Sequence, residues 1–290
     1  MDQCRNEGLG GDGLVPPSCL DSLTIEEGRC RVVSNEWVNP EYKHMVVEAR
    51  PRTLAVEPGQ FFHLACPATA VDQPFLRRPM SLYRVRREEG CVEFLYKVQG
   101  AGTRGLATLR PGDELDVLGP LGKGFDLADD ASHVLILARG VGLATLNPLA
   151  ENAARAGKKV TAILSARTPE LVMSAEALRA LGVDVHTVAD SVGTSGVEQI
   201  RALLSSVHSA SPVNWAATCG SNRLMLLLQD FAREHGIAAQ VAMEQHMGCA
   251  LGMCFACVRP LRKEANSDQL TYRRVCWDGP VFDLQEALSW

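Results

Sequence analysis

Glu244–Cys257 reads EQHMGCALGMCFAC, and the architecture of the whole chain can be worked outward from it. Cys249, Cys254 and Cys257 stand in the spacing C-x4-C-x2-C, and Cys276 follows after a further 18 residues. A plant-type [2Fe–2S] site uses this spacing, because four thiolates must converge on two irons. Three come from one tight loop and the last from a returning strand after a hairpin-like excursion. Gly248, Ala250, Gly252 and Ala256 keep the loop small, so that its backbone N–H groups can point at sulfur. Three other chemistries use cysteines in short spacings. A structural Cys4 zinc site normally has two C-x2-C knuckles, and one is present here. A thioredoxin-like pair would need CFAC to open a helix beside a strand, without a flanking Cys249. A Rieske centre needs two histidine ligands at matched spacing, whereas only His246 lies near the loop. Cys249, Cys254, Cys257 and Cys276 are therefore the expected metal ligands.

The rest of the composition is that of a globular protein. The 290 residues are 46% hydrophobic and 22% charged, enough for two domains and a small third module. A net charge of -5 gives no reason to expect nucleic acid or an anionic membrane as a partner. No apolar run is long enough to span a bilayer. The first twenty residues, MDQCRNEGLGGDGLVPPSCL, lack the apolar core of a secretory signal. Ten cysteines without such a signal read as metal or redox chemistry in the cytoplasm rather than as disulfides. Residues 1–29 are expected to be a flexible leader, its Cys4 and Cys19 without close-spaced partners. The seven histidines are scattered, and none is assigned a catalytic role.

Two rhythms divide the remainder. Over residues 30–127, short β-like runs (RVVSNEWV, HMVVEAR, FFHLAC, MSLYRVR, CVEFLYKV) alternate with turns such as Asn-Pro and Glu-Pro-Gly. They predict a small β-barrel or sandwich. Over residues 128–243, HVLILA, KVTAILSA, VDVHTVA, VNWAATC and AAQVAM alternate with helical segments, three of which stop near Gly157, Gly182 and Gly236. Continuous apolar strands alternating with helices predict a doubly wound parallel sheet, with its ligand crevice at the strands' carboxyl ends. Residues 244–290 form the cysteine module. The fold class is α/β plus β.

Three further stretches suit phosphates or a redox ring. RRPMSLY (Arg77–Tyr83) offers an arginine to an anion and, three residues on, the Ser81 hydroxyl; read alone, it is equally a solvated arginine pair at a strand end. KVQGAGTRGL places Gly100, Gly102 and Thr103 where backbone N–H groups can face a pyrophosphate. ILARGVGLATL sets Gly140 and Gly142 between a buried strand and a helix, the position of a dinucleotide's phosphates or of an ordinary tight turn. TCGSNRLM repeats that arrangement at Cys219 and Gly220, with Cys219 able to face a nicotinamide or to pack as a small apolar residue.

In this order the stretches resemble the ferredoxin-reductase superfamily and, within it, the electron-transfer subunits of class 1B dihydroorotate dehydrogenases. The resemblance spans about Arg31 to Leu288. It implies an FAD-binding barrel, an NAD-binding α/β domain and a C-terminal [2Fe–2S] module. R-P-[IM]-S falls on Arg78, Pro79, Met80 and Ser81. A second flavin-contacting segment falls on Leu95, Tyr96 and Lys97, G-x-G-T on Gly100, Gly102 and Thr103, and GPLG-x-GF on Gly119–Phe125. C-x-D-G-P-V-F appears as CWDGPVF from Cys276. The resemblance implies that Arg78 neutralises the FAD phosphates, Gly102 and Thr103 bind the pyrophosphate, and Ser81 and Cys219 are catalytic. Gly140, Gly142 and Gly220 would hold NAD(H), with NADP(H) possible through Arg167. It also implies electron transfer in pyrimidine biosynthesis with an FMN-containing catalytic subunit as partner. The same cofactors would serve a hydrogenase- or transhydrogenase-type partner, and a zinc-stabilised nucleotide-binding protein is a further alternative. One departure stands out: Ala138 and Arg139 occupy positions where the family usually has glycines, so that Arg139 would crowd the loop or meet a phosphate itself.

Overall fold

In the computed structural model, which describes residues 25–265 and 267–289, seven short strands curl into an antiparallel sheet. They are β1 (Glu26–Trp37), β2 (Tyr42–Glu48), β3 (Phe61–Leu64), β4 (Arg78–Ser81), β5 (Arg84–Arg86), β6 (Cys91–Lys97) and β7 (Glu114–Leu121). Their spatial order is β4-β3-β7-β1-β2-β6-β5. The two outermost strands are successive pieces of one segment. Leu82 N–H donates to the Gln60 carbonyl at 3.1 Å and Tyr83 N–H to the Glu93 carbonyl at 2.9 Å. The chain thus passes from one edge of the curled sheet to the other within two residues. Strand alternation sends Val32, Met45, Phe62, Phe94, Tyr96 and Leu115 into one apolar interior. The buried Asn35 amide is satisfied there by the Leu106 and Leu109 carbonyls and by the Tyr96 hydroxyl.

β1 starts inside the expected leader. Glu26–Arg29 pair with β7, Glu26 opposite Gly119. Charges on both faces hide this strand from a search for alternation, but its backbone is paired and ion pairs Arg29–Glu114 and Arg50–Glu26 clip its sides at 3.0 and 2.9 Å. Cys4 and Cys19 lie outside the described residues.

After the short helix α1 (Ala101–Ala107) and β7, the chain builds a second sheet. Its strands are β8 (His133–Arg139), β9 (Lys159–Ala166), β10 (Asp184–Ala189), β11 (Trp215–Cys219) and β12 (Ala238–Ala242). The helices between them are α2 (Gly142–Arg155), α3 (Ala175–Ala180), α4 (Val197–Ala210) and α5 (Asn222–His235). The order β10-β9-β8-β11-β12 is parallel throughout and reverses direction of growth at β8, so the crevice opens between the ends of β8 and β11.

The C-terminal segment forms a hairpin of β13 (Val258–Arg262) and β14 (Leu270–Arg274), the excursion between the third and fourth cysteines. It then returns β15 (Val281–Asp283) to the parallel sheet, antiparallel to β12. GPLGKGF and CWDGPVF touch: Lys123 N–H donates to the Gly279 carbonyl at 2.6 Å. Phe61 and Leu121 of the barrel share an apolar cluster with Cys257 and Cys276. The barrel is tied to α2 through Arg84, whose Nε donates to Glu151 at 2.9 Å while its guanidinium also pairs with the fully buried Glu93 at 3.7 Å.

Candidate functional site

The four cysteines fall into two pairs. Cys249 N–H donates to the Cys254 sulfur and Cys254 N–H to the Cys249 sulfur, both at 3.4 Å. Cys276 N–H donates to the Cys257 sulfur at 3.4 Å. Leu251 N–H adds another 3.4 Å bond to Cys249. Aiming amides at sulfur bends the loop: Ala250 and Phe255 take φ of 58° and 59°, unusual for residues with side chains. Gly248 leaves room for the Cys254 sulfur, which a Cβ there would approach to 3.1 Å.

Cys249 and Cys276 differ in electrostatics. Burial pushes the Cys249 thiol up, but N–H donation from Cys254 and Leu251 outweighs it and brings the pKa down to about 7. Burial and the neighbouring Cys257 sulfur push Cys276 up to about 12. Cys276 therefore becomes a thiolate only with a cation beside it. Among the described residues no three Cys, His, Asp or Glu side chains converge on a point suited to one ion. Two pairs joined through amide bonds suit two irons better than one tetrahedral zinc.

The barrel brings the anion-suited elements together. Arg78 crosses the start of α1 so closely that a Cβ on Gly102 would lie 2.7 Å from its Nε. Arg77 is structural, its guanidinium held by Asp116 at 2.8 Å and Glu27 at 2.6 Å. The Thr103 hydroxyl accepts from the Gln99 and Gly100 amides, both at 3.0 Å, and donates to the Gly100 carbonyl at 3.1 Å. It orders the glycine loop. Tyr96 needs a correction. Its ring lies in the barrel interior with its hydroxyl on Asn35 at 2.9 Å, so its side chain is turned away from the face shared by Leu95 and Lys97.

A crevice of about 220 Å³ opens at the carboxyl ends of β8, β9 and β11, lined by Tyr42, Arg139, Gly140, Arg167, Gly220 and Glu244. A larger depression, about 340 Å³, lies beside α3 and β10, and its Ser174 shares a 2.7 Å hydrogen bond with the Tyr83 hydroxyl. Gly140 and Gly220 thus line the crevice, whereas Gly142 serves packing: a Cβ there would fall 2.4 Å from the Cys219 carbonyl oxygen. Arg139 neither crowds the loop nor points freely at a ligand. Its guanidinium donates to Ser165 Oγ at 2.8 Å and to Asp190 at 2.6 Å. Arg223 holds the same carboxylate at 3.2 Å, and hydrogen bonds from Arg139 and Ser195 keep Asp190 well below the usual carboxylate range. Arg167 pairs with Glu41 of the barrel.

Ser81 and Cys219 come together through a residue the motifs do not mark. Thr145 Oγ1 donates to Ser81 Oγ at 2.8 Å, and the Cys219 sulfur lies 3.7 Å from the same oxygen. Glu244, the first residue of the quoted stretch, was also not singled out. Its carboxyl opens on the crevice, but the surrounding protein desolvates it and raises its pKa. An acidic residue at a strand's carboxyl end beside the crevice was the available signal.

An antiparallel barrel, a dinucleotide-type sheet and a ferredoxin-type cysteine loop together define a ferredoxin-reductase-like iron–sulfur oxidoreductase. The solved structure of an NADH-dependent reduced ferredoxin-NADP oxidoreductase has this fold, with a TM-score of 0.72 and 24% identity over 89% of this chain and 88% of that one. A ferredoxin reductase of carbazole 1,9a-dioxygenase aligns with a TM-score of 0.58 and 18% identity over 74% and 68%. Residues 244–288 match the iron-sulfur cluster binding domain of dihydroorotate dehydrogenase B. The electron transfer subunit of dihydroorotate dehydrogenase B (NAD(+)) from Bacillus caldolyticus is 35% identical over 268 residues, 91% of this chain and 99% of the relative. That of Desulforamulus reducens is 31% identical over 257 residues, 87% and 94%. The chain belongs to the family of dihydroorotate dehydrogenase B electron transfer subunits.

Proposed function

We propose that this chain transfers electrons between NAD(H) and an FMN-containing dihydroorotate dehydrogenase subunit, through FAD and a [2Fe–2S] cluster. The observation that carries the proposal is the sorting of Cys249 with Cys254, and Cys257 with Cys276, into two amide-bridged pairs. Together, the nicotinamide, flavin and cluster supply the conversion between a two-electron hydride and single electrons.

The chain's own residues bind and orient. Arg78, against Gly102, would neutralise the FAD phosphates. Pro79 and Met80 would carry the strand along the flavin to Ser81, whose hydroxyl would hydrogen-bond at the ring's reactive edge. Leu95 and Lys97 would line the same face. Gly140 and Gly220 would let the dinucleotide approach the backbone, with Cys219 at the nicotinamide. NAD(H) is favoured over NADP(H), because the crevice arginines Arg139 and Arg167 are already paired with carboxylates.

The partner face is supported by an apolar collar. Met253, Phe255 and Trp277 are 78%, 62% and 45% exposed beside the exposed Cys254. Phe255 is further held by Arg274, 5.5 Å from its ring centre. No helix among the described residues is long and apolar enough to cross a membrane.

Co-expression with an FMN-containing dihydroorotate dehydrogenase subunit tests the proposal. The pair is expected to co-purify and reduce NAD+ with dihydroorotate, and Phe255→Asp is expected to weaken the pairing. Failure of the intact chain to associate with such a subunit, or to link NAD+ to its substrate, would reject this partner.

A further inference from the structure

We infer that Thr145 is a positioning residue that joins Ser81 to Cys219 across the two domains and fixes the direction in which their protons point. The inference rests on the reading of Ser81 and Cys219 as the residues at the flavin and nicotinamide. Thr145 sits in the first turn of α2, 5% exposed. A helical threonine commonly returns its hydroxyl to the carbonyl one turn back. Thr145 instead reaches out of its domain, with Oγ1 at 2.8 Å from Ser81 Oγ and 3.7 Å from Cys219 Sγ.

Proton counting sets the polarity. Cys219 is 3% exposed, and burial pushes its thiol far up, so it stays S–H. Sulfur is a weak acceptor, so the S–H is the donor in its contact with Thr145. The single hydroxyl proton of Thr145 then goes to Ser81. Ser81 Oγ is thereby an acceptor on its inner side, and its own proton is directed outward, where a flavin ring nitrogen would accept it. The run is Cys219 S–H to Thr145 O–H to Ser81 O–H. It also turns the Cys219 proton toward Thr145.

The backbone is built to hold this run. Gly142 lets α2 begin against the Cys219 carbonyl, with no room for a Cβ, which sets Thr145 beside the end of β11. Thr218, one residue before, donates its hydroxyl to the Leu137 carbonyl at 2.8 Å and locks β11 onto β8. The Arg84–Glu151 pair holds the other end of the interface between α2 and the barrel.

The test compares Thr145→Val, which keeps the shape and removes the hydroxyl, with Thr145→Ser, which keeps the hydroxyl, in the flavin-loaded full chain. The infrared S–H band of Cys219, assigned by its loss in Cys219→Ser, is expected to move to higher frequency in Thr145→Val and to stay in place in Thr145→Ser. Reduction of the flavin by saturating NADH is expected to slow about five- to tenfold in Thr145→Val, the effect of one hydrogen bond. The dissociation constant for NADH should stay within about twofold, and Thr145→Ser should restore the rate to within about twofold. If Thr145→Val does not fold, Thr145→Ala carries the same comparison. An S–H band unmoved in the apolar variant, or a rate that Ser does not restore, overturns the inference. Should wild-type flavin not be reduced by NADH at all, the functional reading fails, while the S–H band still decides the hydrogen-bonded run.

Discussion

Gly142→Ala should damage the junction between α2 and β11. The added Cβ would sit 2.4 Å from the Cys219 carbonyl oxygen and 2.6 Å from its carbon. Ordinary contact needs about 3.5 Å, so helix and strand must part by about 1 Å. Both obstacles are backbone, and neither can rotate away. Overpacking of this kind costs about 3 kcal/mol, offset by about 1 kcal/mol from the better helix propensity of alanine. The net loss of about 2 kcal/mol corresponds to a melting temperature lower by about 4–6 °C for a chain of this size. The functional effect is larger, because a displacement of about 1 Å at a reacting site can cost about 100-fold in rate. Thermal melting and anaerobic stopped-flow bleaching of the flavin by NADH read the two effects. Gly157→Ala is the control at the other end of α2. It has φ +75° but nothing within 4 Å, so it carries backbone strain of about 1–2 kcal/mol and should leave the bleaching rate alone. A Gly142→Ala protein that melts and bleaches like wild type would refute the reasoning, as would equal slowing in Gly157→Ala.

Three other outcomes follow from single residues. His63 is 2% exposed with its Nε2 unpartnered, and burial, reinforced by Arg77 and Arg78, lowers its pKa to about 4. Its folded value lies below the unfolded one, so about 3 kcal/mol of stability is present above pH 6.5 and is lost as pH falls toward 4. Denaturant titrations of His63→Leu at pH 7 and pH 4 should show that slope flattened, and an unchanged slope would count against a neutral buried imidazole. Cys254→Ser and Cys276→Ser should both lose the cluster by iron analysis. The second should lose about 1–3 kcal/mol more than the first in a melt, since Cys276 lies in the core and Cys254 at the surface. Asp190→Ala frees Arg139 and Arg223 beside the crevice, and the kcat/KM ratio of NADPH to NADH should rise about tenfold; an unchanged ratio would place these arginines outside the 2′-phosphate's reach.

Local chemistry was legible in the sequence wherever a short segment decides its own structure. The cysteine loop is set by spacing and small residues, and the buried strands by continuous apolar runs. Helix α2 stops where Gly157 takes a left-handed φ of 75°. What escaped depends on distant partners. The strand at Glu26–Arg29 has no alternation, because its pairing is made by backbone bonds to β7. From the sequence Arg139 reads as crowding the glycine loop or meeting a phosphate, since its partner Asp190 lies 51 residues away. Tyr96 is instructive in the other direction: Val92, Phe94 and Tyr96 alternate onto one buried face, so strand period alone argued against a flavin-facing ring. Thr145 looked like an ordinary helix residue, and only the packing of α2 against both β11 and the barrel gives its hydroxyl two partners.

The central claim is that the paired cysteines hold two irons within electron-transfer reach of a flavin that NADH reduces. Anaerobic visible and EPR spectra of the purified full chain, before and after NADH, test it most directly. The account predicts iron and labile sulfide in equal amounts, a flavin that bleaches, and a reduced-cluster EPR signal that appears with it. Zinc in place of iron, or a flavin that bleaches while the iron–sulfur bands and EPR stay unchanged, would contradict it.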